Sequence, residues 1–238
     1  MANTVTVISA LGDNFIYLCR YGAKEAFVVD PGDARVAEAA VKKQDVKPTH
    51  IFLTHHHFDH TAGAAELKKK YGCEVIAGGE PSLRLGETDI EIIVTSGHTK
   101  DSVCYYVASG HDKAVFTGDT LFVGGCGRPM ECSRQQMWKS LEKLMALPDG
   151  TLVYCGHDYT LDNYHFALSI EPDNSEVKKC IADLKAGKCP VPSSIGREKK
   201  TNILLRAGCD SVKAALGMEG AAAEEVFAEL RRRKDIWG

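Results

Sequence analysis

The sequence predicts an α/β fold: a strand-rich core reaching to about residue 160, followed by a smaller helical region. Three observations predict it. Short apolar runs bounded by turn residues alternate with helix-period segments through the first two thirds of the chain. Several of those runs end in the same way, with Gly followed by His or Asp. Beyond Asp158 the strand signals fade and only helical periodicity continues.

Taken in order, residues 4–10, 15–20 and 25–30 read as consecutive strands separated by Gly12-Asp13-Asn14 and Tyr21-Gly22. Pro31-Gly32 closes the third. Residues 33–43 carry Ala and Val at helical spacing behind Asp33, a favoured N-cap type. Ile51-Phe52-Leu53-Thr54 is a short apolar strand running straight into His55-His56-His57-Phe58-Asp59-His60. A helix over 61–70 follows, with lysines in its last turn, where the helix dipole favours cations. Strands are expected at 73–77, 89–95, 103–108, 114–117 and 151–154, with a helix at 135–145. Helices at 161–170, 175–184, 209–216 and 222–233 complete the chain, and Pro190 and Pro192 lie in the linking stretch 187–196. The expected division is a core unit over 1–160 and a helical unit over 161–238.

Composition narrows the function classes. The 238 residues are 44% hydrophobic and 26% charged with a net charge of −3, so no basic field advertises nucleic acid or an anionic membrane. No apolar run approaches the roughly 20 residues of a membrane span, and the N-terminus lacks the basic and apolar regions of a signal peptide. The nine cysteines are scattered and odd in number, without a Cys-x-x-Cys pair. They read as reduced thiols, which points to a cytoplasmic protein.

His55-x-His57-x-Asp59-His60 places four potential metal ligands at the exit of one buried strand. Such a group is costly to desolvate, and repulsive when charged, without a neutralising cation. Three later strands end alike: His98 in Ser96-Gly97-His98, Asp119 in Thr117-Gly118-Asp119, and His157 in Cys155-Gly156-His157. Five histidines and two aspartates exceed what one tetrahedral zinc takes, and suit two ions sharing a carboxylate. Imidazole suits zinc or iron, and the absence of a cysteine ligand argues against a closed structural zinc. Two such ions would share a bridging hydroxide at neutral pH, the nucleophile for a carbonyl or phosphoryl centre. The residues by themselves lead to metal-assisted hydrolysis and leave the substrate open.

His55-x-His57-x-Asp59-His60 with His98, Asp119 and His157, in that order, resembles the metallo-β-lactamase superfamily. The resemblance implies an αββα sandwich with two divalent metal ions at one edge, zinc by preference with iron or a mixed pair as the alternative. It assigns His55, His57 and His98 to one metal, and Asp59, His60 and His157 to the other. Asp119 bridges, which makes Asp59 and Asp119 the catalytic carboxylates. The flanking segments 12–17, 117–122, 125–128 and 155–160 are similar to glyoxalase II, the hydroxyacylglutathione hydrolase family. So are residues 166–174, 191–194 and 201–206 in the helical part. That family hydrolyses S-D-lactoylglutathione and related 2-hydroxyacyl thioesters, so the resemblance implies a small-molecule partner, a monomer, and a substrate-binding role for residues 161–238. Its glutathione contacts map onto Arg128, Tyr159, Arg231 and Lys234. Glutathione carries two carboxylates, which arginine and lysine of a basic C-terminal segment can pair. One departure is evident: Met130 stands where family members can place a glutathione-contacting tyrosine.

Other readings share part of this pattern. A mononuclear iron persulfide dioxygenase would keep His55, His57, His98 and Asp119, and a non-catalytic module would bind metal without turnover. The matches at 166–174 and 201–206, with every ligand position intact, favour the hydrolase. A β-lactamase would have no use for the helical tail, and a nuclease would bring a basic surface. His56 is expected to point away from the metals. His50, His111 and His165 are expected at the surface, and Cys126 and Cys155 as small buried residues rather than nucleophiles.

Overall fold

The computed structural model describes residues 4–109 and 112–237. The first half is a sheet backed by helices: β1 (Thr4–Ala10), β2 (Asn14–Arg20), β3 (Glu25–Val29), α1 (Ala34–Gln44), β4 (Lys47–Phe52), α2 (Phe58–Thr61), α3 (Ala64–Tyr71) and β5 (Glu74–Ile76). Its strands lie in the order β1-β2-β3-β4-β5, antiparallel through β3 and parallel from β3 to β5. Asp33 caps α1 by accepting from the backbone N–H of Arg35, the role its residue type predicts.

A second sheet follows, built from β6 (Ser82–Leu85), β7 (Thr88–Val94), β8 (Val103–Ser109), β9 (Asp112–Gly118) and β12 (Leu152–Cys155). The hairpin β10 (Leu121–Phe122) and β11 (Gly125–Cys126) and the helix α4 (Arg134–Met145) lie between β9 and β12. The remainder is α5 (Thr160–Ile170), α6 (Ser175–Lys185), β13 (Ser193–Ser194), α7 (Ile195–Thr201), a 3-10 turn (Leu205–Gly208), α8 (Asp210–Leu216) and α9 (Ala223–Asp235). The order in the second sheet is β13-β12-β9-β8-β7-β6, with β9 and β12 parallel. The helical region therefore contributes an edge strand to the core.

Alternation along β2 and β3 decides the layering. Phe15, Tyr17, Cys19, Phe27 and Val29 face the second sheet, where Tyr17 meets Phe116 and Tyr154, and Phe27 meets Phe116. Ile16, Leu18, Ala26 and Val28 face the other way, onto Ala37 and Val41 of α1 and Leu67 of α3. Met137, Leu141 and Leu144 of α4 belong to the same buried cluster, and Trp138 packs on Phe227 of α9 at 5.4 Å between ring centroids. The result is the expected αββα sandwich.

The elements not anticipated are short or polar: α2, β6, the β10–β11 hairpin, β13, α7 and the 3-10 turn. β13 is held by pairing with β12, distant in sequence, and α7 by bonds to the hairpin, rather than by their own patterns. Buried Glu198 of α7 accepts from the N–H of Gly124 at 2.8 Å, and Asn202 donates to the carbonyl of Gly125 at 2.9 Å. The helical region thereby clamps the hairpin that leads from Asp119 to Arg128. Among the described residues, no helix is long and apolar enough to cross a membrane.

Candidate metal centre

The C-terminal ends of β4, β7, β9 and β12 meet at one edge of the sandwich. Backbone hydrogen bonds hold them there: Val103 N–H to the Thr54 carbonyl at 2.8 Å, Gly156 N–H to Gly118 at 2.8 Å, and Phe15 N–H to Gly156 at 2.8 Å. All seven ligand residues read from the sequence converge at this edge, in two sets. His55, His57, His98 and Asp119 form one, and Asp59, His60 and His157 the other, within reach of Asp119.

The donor geometry tests whether an ion fits. In the first set Nδ1 of His57 lies 3.1 Å from Nε2 of His55 and 3.1 Å from Nε2 of His98. Oδ2 of Asp119 is 3.4 Å from His98 Nε2 and 4.0 Å from His55 Nε2. In the second, Nε2 of His60 and of His157 are 3.2 Å apart, and they lie 3.4 and 3.3 Å from Oδ2 of Asp59. Asp119 reaches this set too, Oδ1 at 3.4 Å from His60 and Oδ2 at 3.4 Å from His157. A tetrahedron with bonds of about 2.0–2.1 Å has edges of roughly 3.3–3.4 Å, so these spacings suit a divalent ion in each set. Oδ1 of Asp119 is buried without a hydrogen-bond donor, as a carboxylate oxygen reserved for a cation would be. A Cβ at Gly156 would come within 2.3 Å of that atom, so the glycine keeps the space open.

Outer partners orient the rings and, with them, the lone pairs. Asp30 accepts from the N–H and hydroxyl of Thr54 at 2.8 and 2.6 Å and from Nδ1 of His60 at 3.0 Å. Since Thr54 donates its proton to Asp30, its oxygen accepts from Nδ1 of His55 at 3.0 Å. The Arg128 carbonyl accepts from Nδ1 of His98 at 2.8 Å, and Asp13 from Nδ1 of His157 at 2.9 Å. Asn14 donates to Oδ2 of Asp59 at 2.9 Å. Asp30, Thr54, Asp13 and Asn14 went unread in the sequence as site residues. Asp30 carried a usable signal, an acid at an apolar strand end before Pro31-Gly32. It takes a left-handed conformation there (φ 49°), a strained backbone of the kind found at functional sites.

The electrostatics follow from burial and neighbours. Burial and then His60 push His55 down to about 3, leaving a neutral ring with a free lone pair. Burial also opposes charge on His60, but the hydrogen bond and charge of Asp30 outweigh it and raise that ring to about 9. Asp119 is deeply buried, yet its hydrogen bond with His157 and the surrounding imidazoles hold its carboxyl far below the usual range. Burial pushes the Cys155 thiol up to about 12 and that of Cys126 upward, so neither is an activated nucleophile. His56 points outward to Asp101 at 2.9 Å. His165 is exposed and His50 half-buried, while His111 lies outside the described residues.

The expected substrate contacts divide. The Tyr159 ring lies flat on His157, 5.1 Å between centroids and 7° from parallel, with its hydroxyl 3.3 Å from Nδ1. Arg128 is exposed at the rim, beside Asp235. Arg231 is buried and donates to the Cys126 carbonyl at 2.9 Å and to Asp235 at 3.0 Å. Lys234 pairs with Asp162 and lies 5.4 Å from the Phe166 ring centroid. Arg232 and Arg233 both bind Glu229. Met130 is exposed, its backbone N–H on the His98 carbonyl at 3.1 Å.

Comparison with known proteins agrees with this site and with the tail. Residues 158–237 match the family model "Hydroxyacylglutathione hydrolase C-terminus", and residues 10–87 and 79–157 match the metallo-beta-lactamase superfamily. A hydroxyacylglutathione hydrolase of Rhodopseudomonas palustris is 42% identical over 255 aligned positions, covering 99% of each chain. One from Rhizobium etli is 44% identical over 225 positions, covering 86% of each. Among solved structures, ETHE1 from Myxococcus xanthus superposes with a TM-score of 0.65 at 25% identity, covering 98% of each chain. The BLEG-1 B3 metallo-beta-lactamase gives 0.65 at 21% identity, covering 85% of this chain and 99% of its own, a likeness of fold alone. The motif at four strand ends, the sandwich and the matched helical tail agree, and the chain belongs to the hydroxyacylglutathione hydrolase (glyoxalase II) family of the metallo-β-lactamase superfamily.

Proposed function

We propose that the protein hydrolyses S-D-lactoylglutathione and related 2-hydroxyacyl-glutathione thioesters to glutathione and the free hydroxy acid. The observation that carries this is the convergence of two donor sets on Asp119 in a chain that keeps the family's helical tail. His55, His57, His98 and Asp119 would hold one divalent ion, and Asp59, His60, His157 and Asp119 a second. Histidine nitrogen with carboxylate favours zinc, with iron or a mixed pair as the alternative. Bound ions supply an activated water at neutral pH and positive charge where the oxyanion develops.

The chain's own residues do the rest. Asp30, Thr54, Asp13 and the Arg128 carbonyl hold the imidazole N–H groups, so that the opposite nitrogens face the centre. Asn14 fixes Asp59 at the mouth. Burial pushes the Tyr159 phenol up to about 12, so at neutral pH it remains a hydrogen-bond donor at the rim. Arg128, Arg231 and Lys234 supply the positive charge that the carrier's carboxylates need. All nine cysteines are unpaired, in keeping with a reducing compartment such as the cytoplasm.

The test is loss of thioester absorbance with S-D-lactoylglutathione, on protein of measured metal content, beside Asp119→Ala. Turnover with about two metals per chain, abolished by the substitution, is the expected result. Full metal loading without turnover would sink the assignment.

A further inference from the structure

Consecutive residues of the β10–β11 hairpin, Phe122 to Cys126, are each held by a buried side chain of the helical region. Asn202 donates to the carbonyls of Phe122 and Gly125 at 3.4 and 2.9 Å, Asn163 to that of Val123 at 3.1 Å, and Arg231 to that of Cys126 at 2.9 Å. Glu198 accepts from the N–H of Gly124 at 2.8 Å. All of these side chains are buried. The hairpin is too short to satisfy its own backbone, since only Leu121 with Cys126 and Phe122 with Gly125 are paired, and unmet backbone groups are costly to bury. The fit is close: a Cβ at Gly124 would come within 2.8 Å of Tyr164, and one at Gly125 within 2.6 Å of Asn163.

Glu198 is the hub of these contacts. Its Oε2 also accepts from Nδ2 of Asn202 at 3.1 Å, and its Oε1 accepts from the hydroxyl of Ser193. Ser193 belongs to β13 and pairs with Val153 of β12, the strand that leads to His157. One carboxylate thus ties the hairpin to the strand behind a metal-centre histidine. At its far end the hairpin meets a second one. A Cβ at Gly127 would come within 2.0 Å of the Asp119 carbonyl and 3.2 Å of Nδ1 of His98, so the chain has no room to shift there. The next carbonyl, that of Arg128, accepts from the same nitrogen at 2.8 Å. A carbonyl can only accept, so this bond keeps the proton on Nδ1 and leaves Nε2 of His98 for the centre.

We propose that Glu198 is a positioning residue of the metal centre, through which the helical region holds the hairpin and, by the Arg128 carbonyl, sets the tautomer and aim of His98. Glu198 touches neither the ligand nitrogens nor the substrate, and it acts only through backbone that other tail residues also grip. The helical region therefore does more than the substrate contacts proposed for it: it is part of the frame of the centre. This rests on the reading of the four strand ends as a metal centre. Little slack separates Gly124 from Arg128, because Gly125 and Cys126 are bonded to Asn202 and Arg231 and Gly127 is confined by Asp119. In a buried network of this kind, loss of one member leaves its partners unmet and loosens the rest.

The experiment removes the hub in the full chain and reads the centre with and without zinc. In zinc titrations Glu198→Ala should bind one of its ions about tenfold more weakly than the unmodified chain. With zinc in excess, kcat for lactoylglutathione should fall by a similar factor while KM stays within about twofold. In the metal-free protein, at a pH where imidazole is neutral, the ring ¹⁵N shifts of His98 should move from a fixed Nδ1–H form toward the average of the two tautomers. Glu198→Gln should recover most of each loss, because its amide oxygen still accepts from Gly124 and Asn202 while its amino group donates to Ser193. Val177→Ala, a buried residue of α6 outside the network, should lower the thermal midpoint and leave zinc affinity and His98 unchanged. Unaltered zinc affinity and His98 shifts in Glu198→Ala, or an equal loss in Val177→Ala, overturns the positioning role and leaves the centre and the hydrolase intact. Failure of the unmodified chain to take up zinc overturns the metal centre, and this role with it. If Glu198→Ala does not fold, Asn163→Ala, which removes the bond to Val123, decides by the same two readings: about threefold weaker zinc binding supports the frame and no change overturns it.

Discussion

The carboxylate of Asp30 reaches both halves of the metal centre, His60 directly at 3.0 Å and His55 through the hydroxyl of Thr54. One buried acid outside the ligand set therefore orients a ring in each. Asp30→Asn keeps the shape but can no longer accept all of these bonds. We expect it to lower metal affinity by about 10–100-fold and activity with it. Metal content after dialysis against a weak chelator checks this, and retention of both metals would show the bonds to be dispensable.

Gly156 is required by a close approach rather than by its backbone angles. Its missing Cβ leaves the space beside Oδ1 of Asp119 and Cε1 of His60, which a methyl group would meet at 2.3 and 2.8 Å. Gly156→Ala should fold, since its two nearest neighbours are a side-chain oxygen and a ring edge, with the Gly118 backbone further off at 3.1 Å. It should nevertheless bind metal at least tenfold more weakly. Metal titration of the variant gives the answer, and unaltered stoichiometry and affinity would contradict the close approach.

Cys155 is fully buried two residues from His157, with its thiol on the His157 carbonyl at 3.2 Å. Its raised pKa makes it a packing residue at neutral pH. Cys155→Ala should leave kcat within about twofold while lowering stability by roughly 1 kcal/mol. A hundredfold loss of kcat with metals retained would instead assign the thiol a chemical role.

Glu171, at the end of α5, ties it to the 3-10 turn and to the start of α8. It accepts from Nε and Nη2 of Arg206 at 2.8 Å each and from the Ser211 hydroxyl at 2.6 Å. Burial pushes its carboxyl up, but these partners outweigh it and hold the carboxyl below its ordinary value. A depressed folded pKa stabilises above the unfolded value, near 4.3, and the contribution is lost as pH falls through the lower folded value. Glu171→Gln should cost about 1–3 kcal/mol at pH 7 and progressively less below about pH 4. Urea midpoints of both proteins at pH 7 and pH 3 measure it, and a pH-independent difference would refute the pairing.

Much of this was legible in the chain itself. His55, His57, His98, Asp119 and His157 were readable because each follows an apolar run within a few residues, so strand and ligand are local to one another. Asp33 as a cap, and β2 and β3 as strands, were readable for the same reason. By itself the sequence determined an α/β core, seven candidate ligands at strand ends and the helical tail, since these rest on local periodicity and residue types, while the αββα layering and the division into two ligand sets were implied by the family resemblance. Only the tertiary structure decided which acids serve the ligands. Asp30 meets His60 across 30 residues and Asp13 meets His157 across 144. It alone brought Asp235 between Arg128, Arg134 and Arg231, and turned Arg231 inward while Arg128 stayed exposed. Such pairings depend on where separate elements come to rest, and a side chain's neighbours across a packed core leave no trace in the spacing of its own segment.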